Sequence, residues 1–262
     1  MNDSYGLSRE LSSLRLPENA NRFPHRKRTI METLVTSPIP SPNTSASASF
    51  GTVKATTTGE LVPVTEVSLS QNDSIFFEHH IFLWKDPSVT ITAKVMKGVG
   101  KRILAGLPVY VTEAHGPGRI AFSRDSPGQV LFLEMRPGTQ IHVREHQFLF
   151  STSGLHYSYF RVKGISNILY GHTGMFMDTF EGSGILALHG YGNVFVRNLG
   201  AGEMIDVEPG GFLYKDASVQ MATNSMGLKS GLFGGFTFAM NRFMGPGRLA
   251  IQSMPFHLAT GE

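Results

Sequence analysis

The chain has 262 residues, 41% of them hydrophobic and 16% charged, with a formal charge of +3. That is enough apolar residue to bury a sizeable core in one or two domains. The charge is too weak to imply nucleic acid without clustered Lys and Arg, and the lack of any Cys excludes disulfides, thiolate metal sites and a Cys nucleophile.

Taken from the start, residues 1–60 read as a disordered tail and linker. Arg26-Lys27-Arg28 forms a basic cluster, but Asp3, Glu10 and Glu18 argue against a transit peptide, since such presequences are poor in acid. Thr36 to Thr58 is rich in Ser, Thr, Pro and Asn and offers too little apolar surface to offset its ordering entropy. No apolar run is long enough to cross a membrane as a helix, and the start lacks a signal-peptide core. Neither secretion nor a transmembrane helix is expected.

Residues 61–258 read as a single all-β domain built from three diverged repeats, about 62–127, 128–191 and 192–255. Phe82-Leu83-Trp84-Lys85-Asp86 matches Phe148-Leu149-Phe150-Ser151-Thr152 and Phe212-Leu213-Tyr214-Lys215-Asp216. Ile103-Leu104-Ala105-Gly106 matches Ile168-Leu169-Tyr170-Gly171 and Leu232-Phe233-Gly234-Gly235. Gly116-Pro117-Gly118-Arg119-Ile120-Ala121 matches Gly182-Ser183-Gly184-Ile185-Leu186-Ala187 and Gly245-Pro246-Gly247-Arg248-Leu249-Ala250. Three motifs recurring in one order at one spacing mark a repeat architecture.

Within each repeat the apolar residues alternate, as at Val109 and Val111, Ile120 and Phe122, Ile141 and Val143, and Phe236, Phe238 and Met240. That is the period of strands, and turn signals at Gly98, Gly116-Pro117-Gly118, Pro127-Gly128 and Pro137-Gly138 separate them. The expected fold is a pseudo-threefold β-sandwich or β-prism-like domain, in which each repeat buries its apolar face against the other two. Gly116, Gly118, Gly182, Gly184, Gly245 and Gly247 are structural turn residues, with Gly supplying positive φ.

Leu232 to Gly235 followed by Met244 to Phe256 resembles the C-terminal signature of the altered-inheritance-of-mitochondria family, number twenty-four of that series. The resemblance covers about residues 62–258. It implies a domain similar to the tryptophan RNA-binding attenuation protein fold, no established catalytic residues and a link with mitochondrial inner-membrane organisation. It also implies a mitochondrial location in a eukaryote and a cytoplasmic one in a prokaryote. Kinship of fold does not carry function.

The candidate chemistry is sparse. His142 and His146, four apart on an expected strand and close to Glu145, could join His79 and His80 in a metal site; ordinary surface histidines are the competing reading. No Gly-x-Ser-x-Gly elbow is present, and the Gly-x-Gly strings do not open a helix. Lys97, Lys101 and Arg102, echoed by Arg161 and Lys163 and by Lys229, would place basic loops at one end of the axis, where RNA or an anionic ligand could bind. Leu228 to Met244 is apolar and Gly-rich, and reads as a buried hairpin more than a membrane-docking edge.

The preferred expectation is a non-enzymatic binding or scaffold protein without a cofactor. Its expected partner is a second copy or another protein, with a membrane surface next and nucleic acid last. A basic-loop RNA or anion binder and a metal-dependent β-barrel enzyme are the alternatives.

Overall fold

Along Val64–Leu69 every second side chain is buried, and along Val53–Thr58 the same alternation runs Val53, Ala55, Thr57. This one-sided pattern is what a strand with a single core-facing surface produces. The computed structural model describes residues 46–95, 110–162, 176–226 and 238–255, and among them it forms twenty strands and two 3₁₀ turns, with no α-helix.

A hairpin of β1 (Ala46–Phe50) and β2 (Val53–Thr58) comes first. Three sets of six strands follow. The first holds β3 (Val64–Leu69), β4 (Ser74–Phe77), β5 (Phe82–Lys85), β6 (Thr90–Val95), β7 (Tyr110–His115) and β8 (Gly118–Ser123). The second holds β9 (Gly128–Met135), β10 (Gln140–Arg144), β11 (Phe148–Thr152), β12 (Leu155–Arg161), β13 (Phe176–Gly182) and β14 (Gly184–Tyr191). The third holds β15 (Val194–Leu199), β16 (Met204–Val207), β17 (Phe212–Asp216), β18 (Gln220–Met226), β19 (Phe238–Met244) and β20 (Gly247–Gln252).

The pairing inside each set is the same, and all of it is antiparallel. First pairs with sixth, as β3 with β8, β9 with β14 and β15 with β20. Second pairs with fifth, as β4 with β7, β10 with β13 and β16 with β19. Third pairs with sixth, and fourth with fifth. Successive sets are then stitched by a second-to-third pairing: β4 with β11, and β10 with β17. One apolar cluster accordingly draws Phe76 from the first set, Phe148, Phe180 and Leu186 from the second, and Leu213 and Ala250 from the third.

The aromatic–Leu–aromatic motif acquires a structural meaning here. Each third strand shifts register against its sixth strand at the motif, between Phe82 and Trp84, Phe148 and Phe150, and Phe212 and Tyr214. The Leu is the extra residue of a β-bulge, which bends the strand and re-aims its neighbours. The second aromatic faces Ala in every set: Trp84 opposite Ala121, Phe150 opposite Ala187, and Tyr214 opposite Ala250. All three Ala are fully buried, so a small residue makes room for a large one.

The turn before each sixth strand is clamped from the third. Asp86 accepts the Arg119 backbone N–H at 2.9 Å and Asp216 accepts that of Arg248 at 2.8 Å. In the second set the Thr152 hydroxyl accepts the Ile185 N–H at 3.0 Å. Gly118 and Gly247 open these strands at φ of 134° and 138°, and a side chain at Gly247 would meet Ser218 Oγ at 2.7 Å and Val219 Cγ2 at 2.8 Å.

One boundary differs from the sequence expectation. Residues 46–58, assigned above to the linker, form β1 and β2, and β2 pairs with β3 while β1 packs on β9 and β14. Composition misleads here because Thr is polar yet β-branched and fits a half-buried strand. Val53 and Ala55 supply the apolar face. Residues 1–45 lie outside the described residues.

The bulged Leu positions give a direct test. Leu213 is fully buried, whereas Leu83 is 52% exposed. Leu213→Ala is expected to cost about 2–5 kcal/mol, and Leu83→Ala in dilute protein less than about 0.5 kcal/mol, both read from urea unfolding. Equal losses at the two positions would contradict this packing. Gly247→Val should lower Tm clearly; an unchanged Tm would contradict the turn geometry.

Candidate functional site

Two buried arginines join neighbouring sets. Arg124, only 3% exposed at its side chain, donates from Nη2 to Glu78 Oε2 at 2.7 Å and to the Phe148 carbonyl at 2.7 Å. Arg144 Nη1 donates to the Pro209 carbonyl at 2.7 Å. The first guanidinium ties the first set to the second, and the other ties the second to the third. Charge-assisted bonds of this kind are about twice as strong as neutral ones, so these arginines act as buried fasteners between sets.

The histidines separate into two places. β10 ends at Arg144, so His146 lies in the following link, with a φ of 65°. The expectation that His142 and His146 share one strand face is therefore not met. His142 Nδ1 accepts from Lys215 Nζ at 3.0 Å, and its ring lies edge-on to Phe160. Burial and the Lys215 charge hold His142 down at about 4, and burial brings Lys215 down to about 8. His146 instead faces His80, ring centroids 6.3 Å apart. His80 lies 3.3 Å from Glu78 and 3.5 Å from Arg124. His79 shares the 3₁₀ turn with His80. Among the described residues no three His, Asp or Glu gather closely enough to hold a metal ion.

The basic candidates lie elsewhere. Lys97, Lys101, Arg102, Lys163 and Lys229 are outside the described residues. Arg161 is the last residue of β12, in register with Phe176. Most of Leu228 to Met244 is also outside, although Phe238–Met244 forms β19. Of the six turn glycines, Gly118, Gly182, Gly184 and Gly247 have positive φ, whereas Gly116 and Gly245 do not.

The feature the sequence does not announce is a break in the stitching. The second-to-third pairing that joins β4 to β11 and β10 to β17 has no counterpart between β16 and β5: each of these strands ends its sheet. Exposure follows the break. Phe82 and Leu83 are 40% and 52% exposed, whereas Phe148, Leu149, Phe212 and Leu213 are buried. Met204 on β16 is 59% exposed. Identical motifs thus differ in burial because two of the three third strands have a covering neighbour. No sequence pattern carries that signal, since the motif itself is intact in all three sets.

The profile of the family described as mitochondrial biogenesis AIM24 matches residues 55–254. The chain belongs to that family. The AIM24 domain thus spans all three sets and the end of the N-terminal hairpin. An uncharacterised protein of Streptococcus pyogenes serotype M6 is 24% identical over 155 residues, which cover 54% of this chain and 62% of that protein's length. A crystal structure of a Streptococcus pyogenes protein superposes with a TM-score of 0.62 at 20% identity, covering 78% of this chain and 94% of the other. That likeness establishes a shared fold. Among the described residues of this AIM24 member, no helix is long and apolar enough to cross a membrane.

The buried rings make stability depend on pH. Burial and the Arg124 charge hold His189 down at about 4, as burial and Lys215 do for His142, against an ordinary value of 6.5. Between those values the unfolded chain binds more protons than the folded one. The histidines' contribution is therefore fully present above pH 6.5 and is lost as pH falls toward 4. Glu145, raised by burial, pulls the other way at the acid end. The difference between wild type and His142→Gln isolates the ring: wild type should lose on the order of 1 kcal/mol more than the variant between about pH 7 and about pH 4.5. Parallel curves in urea unfolding would contradict it.

Proposed function

We propose that this domain is a non-catalytic binding and assembly module whose first partner is a further copy of itself. The observation that supports this reading is the pair of open sheet edges carrying Phe82, Leu83 and Met204 in solvent, where the equivalent third strands are covered. An unpaired edge with apolar side chains is a template for another strand. The described polar groups meanwhile serve the fold: Arg124, Arg144, Lys215 and Arg248 are all engaged with partners inside the domain.

Sedimentation equilibrium of the full chain tests it. The expected result is a weight-average mass that rises above 28.7 kDa with increasing concentration. A single species of that mass throughout the micromolar range would overturn self-association.

A further inference from the structure

The two open edges are complementary halves of a junction that the chain builds twice internally. β5 is a third strand lacking its second-strand neighbour, and β16 is a second strand lacking its third-strand neighbour. We infer that β16 of one copy pairs antiparallel with β5 of a second copy, in the register by which β10 joins β17. This rests on the assembly reading above and names the surfaces that carry it.

The register transfers directly. In the internal junction Ile141 faces Asp216, His142 faces Lys215, and Val143 faces Tyr214. At the equivalent positions Ile205 faces Asp86, Asp206 faces Lys85, and Val207 faces Trp84. The central pair is then a carboxylate opposite an ammonium, where the internal junction has Lys215 bonded to His142 at 3.0 Å. Opposite charges directly across a strand pair are favourable, and they select this register over a one-residue slip, which would turn the apolar residues to the other face. Asp206 already receives Arg242 Nη2 at 2.7 Å within its own sheet. Arg242 Nε also donates to its other oxygen at 2.7 Å, and this two-pronged contact holds the carboxylate in place on β16.

The apolar contacts point to the same occupant. When β4 and β10 lie beside β11 and β17, Phe148, Leu149, Phe212 and Leu213 are buried. The same neighbour beside β5 would cover Phe82 and Leu83. β15 is another open edge, with Phe195 and Val196 exposed. The strand that covers its counterpart β3 is β2, already engaged, so none of the described strands is a spare match for it. For β5 and β16 the chain holds both. Because the two edges differ, the contact is head-to-tail, and successive copies form a ring or an open chain according to the angle.

The lack of native Cys makes the test clean. Lys85→Cys and Asp206→Cys are prepared separately in the full chain, mixed, and oxidised with oxidised glutathione. The expected product is a covalent dimer whose linking peptide joins positions 85 and 206, in excess over any dimer from either variant alone. The double variant should give covalent multimers. No excess dimer in the mixture overturns the proposal, and so does an intrachain 85–206 disulfide in the dilute double variant, which would show the seam closing within one chain. Leu83→Glu provides a second readout: it should abolish association while leaving circular dichroism unchanged, and wild-type association by this variant would overturn the edge contact. If wild type assembles but the thiols do not join, the edge pairing fails and the assembly reading stands. If wild type is monomeric, both fail.

Discussion

The bulged pairing of third strand with sixth strand is the constraint on which the rest of the fold depends. At the bulge an aromatic ring must sit opposite a backbone with almost nothing on it, and Ala121, Ala187 and Ala250 meet that demand in the three sets. The extra Leu bends the third strand, and this bend accompanies its second role, that of receiving the second strand of the preceding set. The aromatic–Leu–aromatic and Gly-x-Gly-x-x-Ala motifs, separated in sequence, are thus two sides of one contact.

That contact stitches sets rather than merely repeating them, and a linear stitch leaves ends. The middle set is paired on both sides, and β14 is buried along its whole length. The outer sets have strands without neighbours. The free side of β3 is covered by the β1–β2 hairpin, which explains why a Thr-rich segment just outside the repeats is ordered: it covers an edge that would otherwise be exposed. β5 has no such cover, and the Trp84 ring meets the Arg119 guanidinium at 5.6 Å instead of lying buried like Tyr214.

Much of the fold was legible in the sequence because it rests on local rules. Strand alternation, glycines at positive φ and motif recurrence all depend on neighbouring residues, whereas the pairing of first with sixth and second with fifth strands rests on long-range contacts. The hairpin at 46–58 was missed because its stability comes from β3, β9 and β14, not from its own composition. The histidines were misplaced for a related reason. His142 and His146 were read on one strand, but the strand ends at Arg144, where the chain must turn into the bulged strand. The open seam was invisible in principle, since Phe82-Leu83 and Phe212-Leu213 are the same residues and differ only in what lies beside them.

The electrostatics fit an assembling module with a rigid interior. Arg124 and Arg144 are each committed to a carbonyl of the next set, so removing either would leave an oriented acceptor and a void between sets. Buried charge of this kind adds little net stability but specifies one arrangement over others. At the β10–β17 junction the same specification comes from Lys215 beside a neutral His142. Asp206 and Lys85 occupy the corresponding places on the two open edges, an acidic side chain and a basic one. A junction meant to form within a chain benefits little from long-range attraction, because its strands are already tethered. One meant to form between chains does benefit, since opposite charges steer the encounter and reject wrong registers.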